Sequence, residues 1–151
     1  MVKEITQNWE VAPIYEKEIP STRKARDEVL DLLLKKIHQL AGKVALDKFE
    51  LRLVLDEALT NALEHGNMWD ERKFVRIRLY PPMDGFVQVS IKDEGFGFNH
   101  EILREQGSLE PNNRPSYRGR GIFIIRQFCK VCWNSIGNEI ILSIPLARKE
   151  G

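Results

Sequence analysis

The sequence predicts an α/β fold: a two-layer sandwich in which a mixed, mainly antiparallel sheet is covered on one face by three helices. Three observations predict it. Short alternating runs are joined chiefly by hairpin signals, which make neighbouring strands antiparallel. Three stretches carry helical rather than strand periodicity. Each of those helices has an apolar face that needs covering, and a sheet provides the cover. The 151 residues suit a single domain, so residues 1–151 are read as one unit.

Residues 9–19, WEVAPIYEKEI, are β-prone and read as an edge strand, where Pro13 is tolerable. Ser21, after Pro20, is the expected N-cap of a helix over Thr22 to Leu40. Its apolar positions Ala25, Val29, Leu32, Leu33, Ile37 and Leu40 keep a helical period, and Gly42 is expected to end it. Asp47 is the expected cap of a second helix that runs to Gly66. On that helix Leu51, Val54, Leu55, Ala58, Leu59, Ala62 and Leu63 form one apolar arc at about 100° per residue.

Phe74 to Tyr80, FVRIRLY, alternates, with Val75, Ile77 and Leu79 on one face. Asp84-Gly85 closes a hairpin onto Phe86 to Lys92. Asn99 to Tyr117 is polar and rich in turn residues, with at most a short helix at 100–105. A loop of this length inside a compact domain is functional or mobile. Gly119-Arg120-Gly121 is expected to open an apolar helix, Ile122 to Cys129. Val131 to Ser135 and Glu139 to Ile144 complete the sheet through a turn at Ile136-Gly137-Asn138.

Composition narrows the function classes. Lys and Arg number 23 against 22 Asp and Glu, a net charge of +1. That balance supports neither a nucleic acid nor a membrane surface as partner. No apolar run approaches the ~20 residues needed to span a bilayer, and MVKEITQNWE lacks a signal-peptide core. A cytoplasmic location is therefore expected. Cys129 and Cys132 are spaced as a redox pair or half a zinc site. No second pair exists, and they fall where an apolar helix gives way to a strand. They are read as small hydrophobes.

Polar residues concentrate in three places. Glu57, Asn61 and His65 recur every fourth residue on the second helix, at the border of its apolar arc. Unpaired burial there costs about 1–3 kcal/mol per group, so something polar should face them. Asp93-Glu-Gly95-Phe-Gly97 follows a strand end. Gly119-x-Gly121 stands at a helix start, where free N–H groups and the helix dipole favour phosphate. His65 is read as orienting Asn61 or capping the last turn, not as catalytic.

In this order the clusters resemble the nucleotide-binding module shared by sensor histidine kinases, gyrase, and chaperone and mismatch-repair ATPases. Glu57-Ala-Leu-Thr-Asn61 corresponds to its N-box. Asp93-Glu-Gly95-Phe-Gly97 and Gly119-Arg-Gly121-Ile122-Phe correspond to its two glycine boxes. The stretch Glu57 to Gly66 is most similar to the small anti-sigma-factor serine kinases, and the resemblance spans roughly residues 20–146. It implies a Bergerat-type ATP-binding fold with ATP and Mg²⁺ as cofactors. Glu57 would be the catalytic base and Asn61 the magnesium ligand. Asp93 would read the exocyclic amine of adenine, Gly95 and Gly97 would let backbone approach the base, and the N–H groups of Gly119 and Gly121 would cradle phosphate. Ile122 completes the second glycine box, and Ser143 stands where the family often has a Thr near adenine. Arg120 departs from the family pattern. Arg114 or Arg118, in a lid over residues 99–118, would meet the γ-phosphate.

The resemblance further implies an anti-sigma factor that phosphorylates a serine of an anti-anti-sigma (STAS-type) partner, binds a sigma factor and forms a homodimer. A second hypothesis is a nucleotide-gated module that sequesters a regulator without phosphotransfer. A third is a catalytic domain of the sensor histidine kinase type, against which the absence of an upstream His-bearing hairpin counts.

Overall fold

A computed structural model describes residues 11–40, 44–97 and 117–147. Strand β1 (Tyr15–Pro20) leads into α1 (Arg23–Gln39). Helix α2 (Lys48–Thr60) follows, continued by a π-helical turn over Asn61–Gly66. Strands β2 (Phe74–Leu79) and β3 (Phe86–Lys92) form a hairpin. Helix α3 (Tyr117–Arg126), β4 (Lys130–Trp133) and β5 (Glu139–Pro145) complete the chain.

The five strands lie in the order β1-β2-β3-β5-β4, and every pair is antiparallel. The helices pack on one face. Val75, Ile77, Leu79, Val87, Val89, Ile91, Ile140, Leu142 and Ile144 of that face meet Leu33 and Ile37 of α1, the apolar arc of α2, and Ile122 and Ile125 of α3 in one core. All seven arc residues are buried. The expected α/β sandwich is present. Its other face carries the polar halves of the alternating strands, for example Arg76 bonded to Glu18 at 2.7 Å and Arg78 to Glu16 at 3.1 Å. No helix among the described residues is long and apolar enough to cross a membrane.

Several local expectations are corrected. Thr22, not Ser21, caps α1: its hydroxyl accepts from the Ala25 N–H at 3.1 Å, while Ser21 Oγ donates to the Lys73 carbonyl. Helix α1 ends at Leu40, whose backbone turns extended, and Gly42 lies outside the described residues. Asp47 does cap α2, in a reciprocal box with Glu50. Asp84 and Gly85 both take positive φ, as a tight hairpin of type I′ demands. Strand β4 ends at Trp133, because the Asn134 side chain takes up the turn by accepting from the N–H groups of Gly137, Asn138 and Glu139.

Two corrections bear on function. Helix α2 does not continue as an α-helix to Gly66. It widens at Asn61, and the Asn67 N–H bonds the Ala62 carbonyl five residues back at 2.9 Å. Single π turns concentrate at functional sites. Helix α3 starts at Tyr117, so Gly119 and Gly121 lie inside it and not ahead of it. Gly119 still falls among the N–H groups a helix start leaves free, whereas that of Gly121 belongs to the intrahelical ladder.

Candidate nucleotide site

The three polar clusters converge on one cleft between α2, α3 and the far end of β3. A methyl group built on Gly121 would sit 2.7 Å from Glu57 Oε2 and 3.1 Å from Asn61 Nδ2. Gly121 therefore lets α3 lie directly against the polar edge of α2. One built on Gly66 would lie 2.2 Å from Asp93 Cγ, so the π turn places Gly66 flat against the Asp93 carboxylate. Ala58, Asn61, Ala62, Ile91, Asp93, Ile122, Trp133, Gly137, Asn138 and Ile140 line a small cavity at the centre, about 30 Å³ in volume. That holds roughly two waters.

Asp93 is buried and held by its backbone as well as its side chain. Its N–H donates to the Asn138 carbonyl at 2.9 Å, and its carbonyl accepts from Asn138 Nδ2 at 3.3 Å. Its Oδ1 accepts from the Gly95 N–H at 2.8 Å. Gly97 has φ +81°, and a Cβ there would fall 1.7 Å from the Ile136 carbonyl oxygen. The Asp93–Gly97 loop thus runs between the π turn on one side and the β4–β5 turn on the other.

Burial raises the Glu57 carboxyl above the ordinary Glu range. The neighbouring Asp56 raises it further, and Arg120 pulls it back. Among the described residues Asn61 Nδ2 is buried without a hydrogen-bond partner. An amide can present either its oxygen or its nitrogen to the same space. Among the described residues no cluster of three or more His, Cys, Asp or Glu side chains could hold a metal unaided. This donor set fits Mg²⁺, which takes one or two protein oxygens and completes its shell with water and substrate phosphate.

Glu57, Asn61, Asp93, Gly95, Gly97, Gly121 and Ile122 are thus brought together. Arg120 is exposed yet close enough to act on Glu57. Ser143 is not part of the assembly. It alternates with Leu142 and Ile144, which face the core, so it points to the opposite side of the sheet, where Gln88 Nε2 donates to its hydroxyl at 3.3 Å. The Arg114 and Arg118 side chains and the lid core, residues 99–116, lie outside the described residues. The His65 ring approaches Glu64 at 3.9 Å.

Sequence reasoning missed Trp133, Asn134, Asn138 and Asn67. The hydrogen bonds of Asn67 and Asn138 and the cavity contact of Trp133 link segments far apart in the chain, whereas the Asn134 bonds stay within the β4–β5 turn. The one available signal was the pair of Asn residues around Gly137.

Cys129 and Cys132 form no disulfide and do not line the cavity. Burial pushes Cys129 up to about 12, which leaves almost no thiolate at neutral pH. Alkylation of the folded protein at pH 8 should spare Cys129 until denaturant is added. Mass spectrometry of the labelled protein checks this; rapid native labelling of Cys129 would restore a redox reading.

Residues 17–144 match the model of a family described as the histidine kinase-like ATPase domain. Among solved structures the chain is similar to the mycobacterial sensor histidine kinase MprB, at 17% identity and a TM-score of 0.48, over 88% of this chain and 100% of that one. It is also similar to the histidine kinase domain of the blue-light activated histidine kinase EL346 from Erythrobacter litoralis. That match has 19% identity and a TM-score of 0.45, over 93% of this chain and 66% of that one. No curated protein matches it.

Proposed function

Because the chain belongs to the histidine kinase-like ATPase family, with ATP as the ligand that membership carries, we propose that it is an ATP-dependent protein serine kinase acting in a partner-switching circuit. In that circuit it phosphorylates a serine of a small anti-anti-sigma (STAS-type) partner and, as a homodimer, holds a sigma factor. The observation that carries the kinase reading is the meeting of Glu57 and Asn61 with Gly121 and Asp93 around one cleft. The partners rest on the resemblance of Glu57–Gly66 to anti-sigma-factor kinases.

Asp93 accepts from the exocyclic amine of adenine. Guanine presents a carbonyl oxygen at that point, which a carboxylate repels. Asn61 would hold Mg²⁺ through its amide oxygen, and the metal would supply charge neutralisation at the phosphates. The free N–H groups at the start of α3 lie beside those phosphates. Glu57 takes the proton of the attacking serine hydroxyl. Its raised pKa suits this, because a base works best with a pKa near the operating pH. The cavity of about 30 Å³ is too small for a purine.

The base assignment has a pH signature. Glu57 acts only when ionised, so the acid limb of phosphotransfer should lie above the ordinary Glu range. Asp56→Asn removes a charge that raises Glu57 and should move the limb down; Arg120→Gln removes one that lowers it and should move the limb up. A limb that ignores both substitutions belongs to another group.

The test of the function is capture of interacting proteins from cell extract with Mg·[γ-³²P]ATP, followed by phosphoserine analysis. Label on a captured partner's serine supports the kinase. ATP-dependent capture without label would mark a nucleotide-gated binding module instead.

A further inference from the structure

Asn67 lies outside the roles assigned above, yet it sits where three segments meet. It is 0% exposed. Its Nδ2 donates to Ser21 Oγ and to the Phe74 carbonyl, both at 3.0 Å, and its Oδ1 accepts from the Glu94 N–H at 2.8 Å. One end of the side chain must donate twice and the other must accept, and only an amide does both. The network extends outward. Ser21 Oγ donates to the Lys73 carbonyl at 2.7 Å, and the Glu94 carboxylate accepts from the Phe74 N–H.

The backbone around Asn67 is unusual on both sides. The π turn precedes it, and Met68 and Trp69 follow with φ of 54° and 55°. Two consecutive non-glycine residues in the left-handed region persist only where their surroundings hold them there, and such strain gathers at functional sites. Asn67 is the element that holds this segment to the Asp93 loop. On one side its neighbour Gly66 abuts the Asp93 carboxylate; on the other its oxygen grips Glu94, the residue after Asp93.

We propose that Asn67 is a positioning residue for nucleobase recognition. It clasps the loop from Asp93 to Gly95 against the π turn and so fixes where the Asp93 carboxylate stands. That makes Asn67, which touches no reacting atom, a determinant of the preference for adenine over guanine. The inference rests on the reading of Asp93 as the adenine acceptor. Ser21, at the β1–α1 junction and absent from the lining of the cleft, belongs to the same device because it receives one of the two Asn67 donors.

The test measures ATP and GTP dissociation constants for the parent chain, Asn67→Ala and Ser21→Ala, together with amide exchange at Glu94. Asn67→Ala should weaken ATP about tenfold, as expected for loss of a buried hydrogen-bond clasp, while GTP changes less than about twofold. The ATP:GTP ratio then collapses and the Glu94 N–H exchanges faster. Ser21→Ala should move the ratio the same way by a smaller factor, and it carries the test if Asn67→Ala does not fold. Equal weakening of both nucleotides, or lower thermal stability with an unchanged ratio, would show Asn67 to be structural only and overturn the proposal. The reading of Asp93 is judged separately: it fails if the parent chain itself does not discriminate.

Discussion

Glu57→Gln should retain ATP with an affinity within about twofold of the parent and lose phosphotransfer by about 10²–10⁴. The substitution keeps the shape of the side chain and its contact with Gly121 while removing the proton acceptor. Its effect on stability runs opposite to its effect on activity. Burial raises the Glu57 pKa in the fold. A raised carboxyl pKa means that the neutral form is the better tolerated one. Its contribution to stability is present below the unfolded value, near 4.5, and is lost as pH rises through the folded value. At neutral pH the Gln variant should therefore be as stable as the parent or slightly more so, with the difference vanishing in acid. Transfer assays and urea melts at pH 4 and pH 7 read both effects. Phosphate moving at the parent rate would remove Glu57 as the base.

Gly97→Ala should cost about 2–5 kcal/mol of stability, from two additive causes. The first is φ +81°, a left-handed conformation that costs an L side chain about 1–2 kcal/mol. The second is overlap: the new methyl would lie 1.7 Å from the Ile136 carbonyl oxygen. That atom is backbone and cannot rotate away, and overpacking of this kind costs about 1–3 kcal/mol. Such a loss is a large share of the 5–15 kcal/mol that holds a typical domain together. Because the displaced loop begins at Asp93, ATP affinity should fall with it. A denaturant midpoint equal to the parent's would show that the loop and the β4–β5 turn separate freely.

Much of this was legible in the sequence because it is local or periodic. The arc from Leu51 to Leu63, the alternation of Phe74–Leu79 and the Asp84-Gly85 turn each declare themselves within ten or so residues, and each appears in the fold. Asp47 with Glu50 is a similar case, since both halves of the cap lie in one turn. What the sequence concealed depends on contacts between distant segments. The π turn at Asn61 leaves the apolar spacing intact and shows only in which carbonyl Asn67 reaches. Ser21 lost its expected capping role to Thr22 because Lys73, 52 residues away, claims its hydroxyl. Ser143 was placed by analogy, and the strand's two-residue period turns it to the far face. Within the site, Glu57, Asn61 and Asp93 were legible as chemistry, but the closeness of Gly121 to Glu57 and of Gly66 to Asp93 required the fold.

The central claim is that Asn61 and Asp93 face one bound Mg·ATP. Calorimetric titration with ATP and GTP, in Mg²⁺ and in chelator, tests it most directly on the parent chain beside Asn61→Ala and Asp93→Asn. Asp93→Asn keeps an oxygen for the Gly95 N–H but turns an NH₂ toward the adenine amine, setting donor against donor. The account predicts that the parent prefers ATP by about tenfold or more and binds it more tightly with Mg²⁺. Asn61→Ala should lose the Mg²⁺ enhancement and Asp93→Asn the preference for ATP. Equal binding of ATP and GTP by the parent, or the same Mg²⁺ enhancement in Asn61→Ala, would contradict it.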